Sequence, residues 1–204
     1  MSVTLKDLSH TDGSDNTAGI QQNVYFAKLE DIYTMPKPVL DDSTGSGNLS
    51  DLVTISSNIV MKAGKQFYKL YCTLEAGELK NDAQGELDGM SFMNQLEVFL
   101  PGSSAEALGF AQWVKNSNLI ILVPESDGQV RVLGHEGYPA KLVTMAGTTG
   151  KAPADRKGMT YTFKSTRKGP SPIFTGKVAT SGSGFGSGAL DVNGDGYQDI
   201  YFID

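Results

Sequence analysis

The sequence predicts a mainly β protein: a β-sandwich or barrel of about ten strands with one flanking α-helix and a short Asp/Gly-rich appendage at its C-terminal end. Three observations predict it. Short apolar runs recur along the chain, each bounded by Gly, Pro or Asp-Gly. The 24 glycines are spread over the length rather than clustered, as expected where many strands are joined by turns. Only one stretch carries both a helix start and a helix stop.

The elements follow in order. Residues 1–19 are polar and rich in Gly, Asp, Ser and Thr, and read as an N-terminal arm that orders only against something else. A strand is expected over 20–29. A polar segment over 33–50, with Pro36, Pro38 and an Asp/Ser/Gly tract, is too long for an ordinary connection in a compact domain and reads as a functional loop. Strands are expected at 52–61, ending in a turn at 62–65, and at 66–75. Runs 74–79 and 86–90 flank Asn81 to Gly85, which has hairpin-loop composition. The run 92–100 alternates well enough to be half buried.

Ser103 and Glu106 are spaced as a capping box just after Pro101-Gly102, and Asn116 ends the helix they open. Ala107, Leu108, Ala111 and Val114 can form its apolar stripe, joined by Phe110, with Trp113 at the border. A core helix lying on a sheet is the simplest reading. Leu119 to Val123 is apolar throughout and so reads as a buried strand. Further strands are expected at 129–133, 140–145, 159–165 and 173–178. Residues 179–188, Gly/Ser-rich, form a linker.

Composition limits the function. The chain of 204 residues suits one large domain with appendages, and its 39% hydrophobic content suits a folded protein. A net charge of −6 disfavours general nucleic-acid binding, which depends on Lys and Arg against phosphate. It disfavours an anionic membrane surface as well. No run approaches a membrane span. Cys72 is the only cysteine, so neither an intrachain disulfide nor a thiolate metal cluster is available. With no apolar stretch of signal-peptide length at the N-terminus, assembly in a reducing cytoplasm is the expectation.

No catalytic constellation emerges. His10 lies in the arm and His135 in a turn, and neither has a second ligand at helical spacing. The alternating glycines from Gly182 to Gly188 lead into an Asp-rich loop rather than a helix, which excludes a dinucleotide fingerprint. The run from Gly147 to Ala152 lacks the Walker spacing. The expectation is a non-enzyme. Charge is more organised: Glu75, Glu78, Asp82, Glu86 and Asp88 stand against Lys80 alone, and Lys151, Arg156, Lys157, Lys164, Arg167 and Lys168 against Asp155 alone. These are either two solvated hairpins or an acidic and a basic patch that meet between subunits.

The C-terminal stretch carries the most specific motif. Asp191, Asn193 and Asp195 alternate, Gly196 follows, and Asp199 closes the set, with the Tyr197 carbonyl at position 7. Hard Ca²⁺ takes six to eight oxygens, which a tight loop supplies at this spacing. An EF-hand is excluded, because position 12 is Phe202 and Ile200 to Ile203 reads as a strand. With Phe185-Gly186 ahead of it, the segment resembles the calcium loop of FG-GAP and integrin-type repeats, in a single copy that cannot build a propeller. The resemblance implies Ca²⁺ as the ligand.

The body of the chain resembles bacteriophage tail tube (major tail) proteins, those of Bacteroidetes-infecting phages above all. The residues that carry this are Gly19-Ile-Gln-Gln-Asn-Val-Tyr-Phe-Ala27, Met61-Lys-Ala-Gly-Lys-Gln-Phe-Tyr-Lys-Leu-Tyr71, Gly85-Glu-Leu-Asp-Gly-Met-Ser-Phe92 and Gly158-Met-Thr-Tyr-Thr-Phe-Lys-Ser165, closed by Pro172-Ile-Phe-Thr-Gly176. The resemblance implies a tube-forming β-domain over 20–178 and hexameric rings stacked into an acidic conduit, through which genomic DNA passes without specific binding. It implies the chain itself and other tail proteins as partners, no membrane, and a place in the virion tail after assembly in the host cytoplasm. Residues 1–19 and 33–50 are then the inter-subunit pieces, and 179–204 an appendage. Two rivals stay open: a capsid-decorating or other virion protein, and a Ca²⁺-dependent extracellular adhesin or carbohydrate-binding module.

Titration calorimetry with Ca²⁺ is expected to give heat with the wild-type chain and none with Asp195→Ala. Four ligand side chains and one carbonyl predict moderate rather than nanomolar affinity, and an absence of heat in both proteins would end the assignment.

Overall fold

The computed structural model describes residues 2–14, 16–40, 46–180, 189–190 and 200–201. The strands, in chain order, are β1 (Ser2–Thr4), β2 (Asn23–Lys28), β3 (Ile32–Thr34), β4 (Ser46–Asn48), β5 (Thr54–Ile55), β6 (Ile59–Met61), β7 (Tyr68–Tyr71), β8 (Glu78–Gln84) and β9 (Ser91–Pro101). The helix α1 (Ala105–Val114) follows. After it come β10 (Leu119–Pro124), β11 (Val130–Leu133), β12 (Lys141–Thr148), β13 (Gly158–Arg167), β14 (Ile173–Phe174), β15 (Val178–Thr180), β16 (Ala189–Leu190) and β17 (Ile200–Tyr201). The fold is mainly β, a sandwich with one helix, as expected.

The sandwich has a third layer that the sequence did not announce. A six-stranded sheet, ordered β5-β14-β11-β10-β2-β7, is covered on one face by the four-stranded sheet β12-β13-β9-β8 and on the other by β16-β17-β15-β6-β3. All six residues of β10 are buried. Its Leu119, Ile121 and Val123 pack with Leu96, Val98 and Phe163 of the four-stranded sheet. Its Ile120 and Leu122 pack with Ile59, Met61 and Val178 of the five-stranded sheet. Strict alternation sends neighbouring side chains to opposite faces, so a strand apolar at every position needs two cores.

Two expected strands each prove to be two. The 52–61 run divides at Ser56-Ser57-Asn58 into β5 and β6, and the 173–178 run divides at Thr175-Gly176-Lys177 into β14 and β15. The two corners travel side by side. β5 pairs in parallel with β14, β6 in parallel with β15, and the Asn58 side chain accepts the Lys177 N–H at 2.9 Å. A Cβ on Gly176 would collide with the Ser57 carbonyl oxygen, so only glycine lets the segments cross this closely. A β-branched run gives no sign of where it changes sheets, and Gly176 was the available signal.

The β8–β9 hairpin is also shifted from expectation. Residues 81–84 are strand rather than loop, and the turn lies at 85–90, since Gln84 pairs with Ser91. Asn81 reads as a turn residue, but its Oδ1 accepts the Ser171 N–H at 2.9 Å and is satisfied inside the sheet.

In α1 the cap is Ser104, one residue later than the Ser103 box: its hydroxyl accepts the Ala107 N–H at 3.2 Å. The Glu106 carboxyl is held below its usual range by its own backbone N–H and the Ser104 hydroxyl. Ala107 and Val114 are buried, Phe110 and Ala111 pack on the core, and Leu108 faces solvent at 53% exposure. The buried Tyr161 of β13 donates its hydroxyl to the Ala107 carbonyl at 2.9 Å and meets the Phe110 ring edge-on at 5.4 Å, which pins the helix to the sheet.

The 33–50 segment, expected to lack structure, carries part of β3, all of β4 and the start of a 3-10 turn over Leu49–Leu52. It also buries Met35 and Leu40. Leu40 N–H donates to the Asp51 carbonyl at 2.9 Å. The N-terminal arm is tied at its start, where β1 pairs in parallel with β4. Val178–Thr180 is strand, so the linker expected from 179 starts no earlier than 181. The rest of that linker and the Ca²⁺ ligand set (Asp191, Asn193, Asp195, Tyr197 and Asp199) lie outside the described residues.

Ile120→Ala and Ile121→Ala, which face opposite cores, are each expected to cost about 2–5 kcal/mol in urea unfolding. Leu108→Ala should stay within about 0.5 kcal/mol of wild type. A small loss for one of the two isoleucines would show that its face is not a true core.

Candidate assembly surface

The four-stranded sheet has two open edges among the described residues. β9 and β13 pair with each other at every residue from Phe92–Arg167 to Pro101–Gly158. β8 adds to one side, from Glu78–Glu97 to Gln84–Ser91, and β12 to the other, from Lys141–Lys164 to Thr148–Gly158. All three pairings are antiparallel, so the two edge strands run in opposite directions. They are also offset: β8 covers the N-terminal part of β9, whereas β12 lies against the part of β13 that faces the C-terminal end of β9.

β12 is unusual for an edge. Beyond Leu142 it is exposed on both faces, with Val143 51% and Met145 37% accessible. A register irregularity falls between Leu142 and Thr144. Lys141 is the strand's only charge and it has no proline, so it lacks most of the devices that discourage edge pairing. β8 differs: Glu78, Lys80 and Asp82 point away from the core, and Lys80 reaches Glu78 at 2.9 Å. That carboxylate raises the Lys80 pKa. Glu78 stands directly opposite Glu97, and Lys141 opposite Lys164, so the outward face carries both signs in separate pairs.

The two charge clusters of the sequence map differently. The acidic one is coherent, running along β8 into the turn at 85–90. The basic one is divided. Lys151, Arg156 and Lys157 lie in the exposed β12–β13 connection, where Arg156 sits 5.5 Å from the Phe99 ring. Asp155 there accepts backbone N–H groups of Ala152 and Lys151, which holds its carboxyl below the usual range. Arg167 and Lys168 lie at the opposite end of β13, because a ten-residue strand separates the groups.

At that opposite end is a cavity of about 340 Å³. Met35, Pro38 and Leu52 contribute one part of its lining, the 135–137 turn another, and residues 167–170 a third. The 135–138 turn is fixed to β13. Ser165 Oγ donates to the Tyr138 carbonyl at 2.7 Å, and His135 Nε2 lies 3.1 Å from the Thr166 carbonyl. The Gly137 N–H donates to His135 Nδ1 at 3.2 Å. These contacts give His135 a structural role, with Nε2 as the protonated donor nitrogen. Sequence reasoning placed His135 in a turn but had no means of finding this cavity, whose lining comes from segments a hundred residues apart.

A second groove, of about 500 Å³, lies between α1 and the edge strand β7. Phe26, Tyr68, Phe110 and Trp113 line it, and Lys28 Nζ sits 5.3 Å from the Trp113 ring centroid. The arm beyond β1 is exposed, with Leu5 79% and Leu8 92% accessible. Cys72 is buried, and that burial holds its thiol above the usual range, consistent with a packing role.

Among the described residues no three His, Cys, Asp or Glu side chains converge as a metal group, and no helix is long and apolar enough to cross a membrane. Compared with family models, curated proteins and solved structures, the chain matches none.

Proposed function

We propose that the chain is a structural subunit that assembles with copies of itself into closed rings through the edges of its four-stranded sheet. In this reading it is a phage tail tube protein whose rings, six subunits each, stack into a conduit for DNA. One observation carries the reading: an even number of antiparallel strands leaves β8 and β12 running in opposite directions. Copies related by a rotation can then pair β8 of one with β12 of the next, antiparallel, with no strand reversed. Such a contact joins two different patches and closes as a ring when the rotation between neighbours divides a full turn. The offset between β8 and β12 supports the same reading, since strands joined around a barrel must stagger and tilt. The net charge of −6 suits a wall that must let DNA slide rather than bind.

The C-terminal segment is then an appendage carrying Ca²⁺ on Asp191, Asn193, Asp195, the Tyr197 carbonyl and Asp199. Ligand spacing supports it, and so does the antiparallel Leu190–Ile200 pair, which brings together the residues just outside the loop.

A second reading, a Ca²⁺-dependent carbohydrate-binding module, is favoured by the aromatic groove of Phe26, Tyr68 and Trp113. Lys28 beside the Trp113 ring counts against it as a stacking platform.

Negative-stain microscopy of the purified chain is expected to show rings or tubes. Val143→Lys with Ala146→Lys puts charge on an exposed edge and should leave a folded monomer that no longer assembles. Wild-type protein that stays monomeric under all conditions, or a double variant that assembles normally, would remove the edge-pairing reading.

A further inference from the structure

We infer that the β8–β9 turn of one copy seats in the cavity beside β12 of its neighbour, with Leu87 as the apolar anchor and Glu86 and Asp88 against basic residues of the rim. This rests on the edge-to-edge assembly proposed above and identifies a second contact within it.

The turn is shaped for such a role. Gly85 and Asp88 adopt positive φ, +116° and +63°, and the Gly89 N–H donates to the Glu86 carbonyl at 3.0 Å. This bonding gives the turn a defined shape, so less ordering is needed when it docks. It holds Leu87, which lies between Glu86 and Asp88 in the chain, outward at 92% exposure, with Met90 58% exposed beyond them. A large apolar side chain at the tip of a defined acidic turn does nothing for the monomer's cores.

The cavity has the complementary chemistry. Met35, Leu52, Pro38 and Pro170 give it an apolar lining, and among the described residues Lys37, Arg167 and Lys168 line it together with Glu136. Prolines and a turn tied to β13 make this lining preformed, which lowers the cost of docking. None of the residues of the 85–90 turn lines the cavity of its own chain.

Register brings the two together. If β8 lies antiparallel on a neighbour's β12, the C-terminal end of β8 at Gln84 meets the N-terminal end of β12 at Lys141. The turn that follows Gln84 then projects past Lys141, toward the 135–138 turn and the cavity beside it. The acidic patch thereby reaches Arg167 and Lys168, the part of the divided basic cluster at that end of the sheet. Charge pairs of this kind set orientation and register.

Two preparations test the contact, one carrying Leu87→Cys and the other Pro170→Cys; the native Cys72 is buried. Mixed, allowed to assemble and oxidised, they should yield a disulfide-linked dimer that neither gives alone. Separately, Glu86→Lys with Asp88→Asn should raise the concentration needed for assembly about tenfold or more. Arg167→Glu with Lys168→Glu should do the same, and mixing the two charge-altered proteins should restore assembly. Circular dichroism and thermal unfolding like wild type would establish that each variant is folded. If wild-type protein assembles and the β12 edge variant does not, yet the turn variants assemble at the wild-type concentration and no crosslink forms, edge pairing stands and turn docking is overturned. If wild-type protein never leaves the monomer, both fall.

Discussion

A strand that is apolar at every position is stable in water only if both of its faces are covered, and β10 imposes that condition on the molecule. One cover is supplied locally, by the long β9 and β13 strands with α1 sealing the side, held by the Tyr161 hydroxyl on the Ala107 carbonyl. The other cannot be supplied by neighbouring sequence. It is made by turning two distant segments out of the central sheet together, so that β6 and β15 continue as a separate layer. Gly176 is the point at which that manoeuvre is sterically possible. Full burial of each large aliphatic side chain of β10 contributes roughly 1.5–3 kcal/mol, so the third layer is a requirement of the core.

With both cores satisfied inside one chain, what remains at the surface can be read as potential interface. The four-stranded sheet has lateral edges that the fold does not need, and β12 keeps one of them nearly uncharged over most of its length. Natural sheets usually protect such an edge. Its retention fits a subunit whose edges are used, and the proline-lined cavity beside β12 extends the same surface.

Much of the fold was legible in the sequence, for physical reasons. The unbroken run from Leu119 to Val123 declared a buried strand, and the Gly/Pro punctuation located nearly every strand of the body. Errors came where a side chain met a distant partner. Asn81 looked like a turn residue because its Ser171 partner was not visible, and the capping residue moved from Ser103 to Ser104 within a run of two equivalent hydroxyls. The 33–50 segment looked unstructured because its anchors, Met35 and Leu40, are few and separated by polar residues. Edge exposure was the least legible property. Ala140 to Met145 was recognised as a strand, but nothing in its residues told that no strand among the described residues covers its far side.

The paired corner also has a kinetic consequence. Ile55 and Thr175 lie 120 residues apart and are joined by a side-chain hydrogen bond of 3.4 Å, whereas β8–β9 and β12–β13 are hairpins of adjacent sequence. Contacts of such separation form slowly, because the loop must close before any pairing offsets the entropy. The two hairpins that carry the edges of the four-stranded sheet therefore form while the third layer is still open. If these edges pair between copies as proposed, a newly made chain can associate before it is fully folded, and its yield then depends on how dilute it is kept during synthesis.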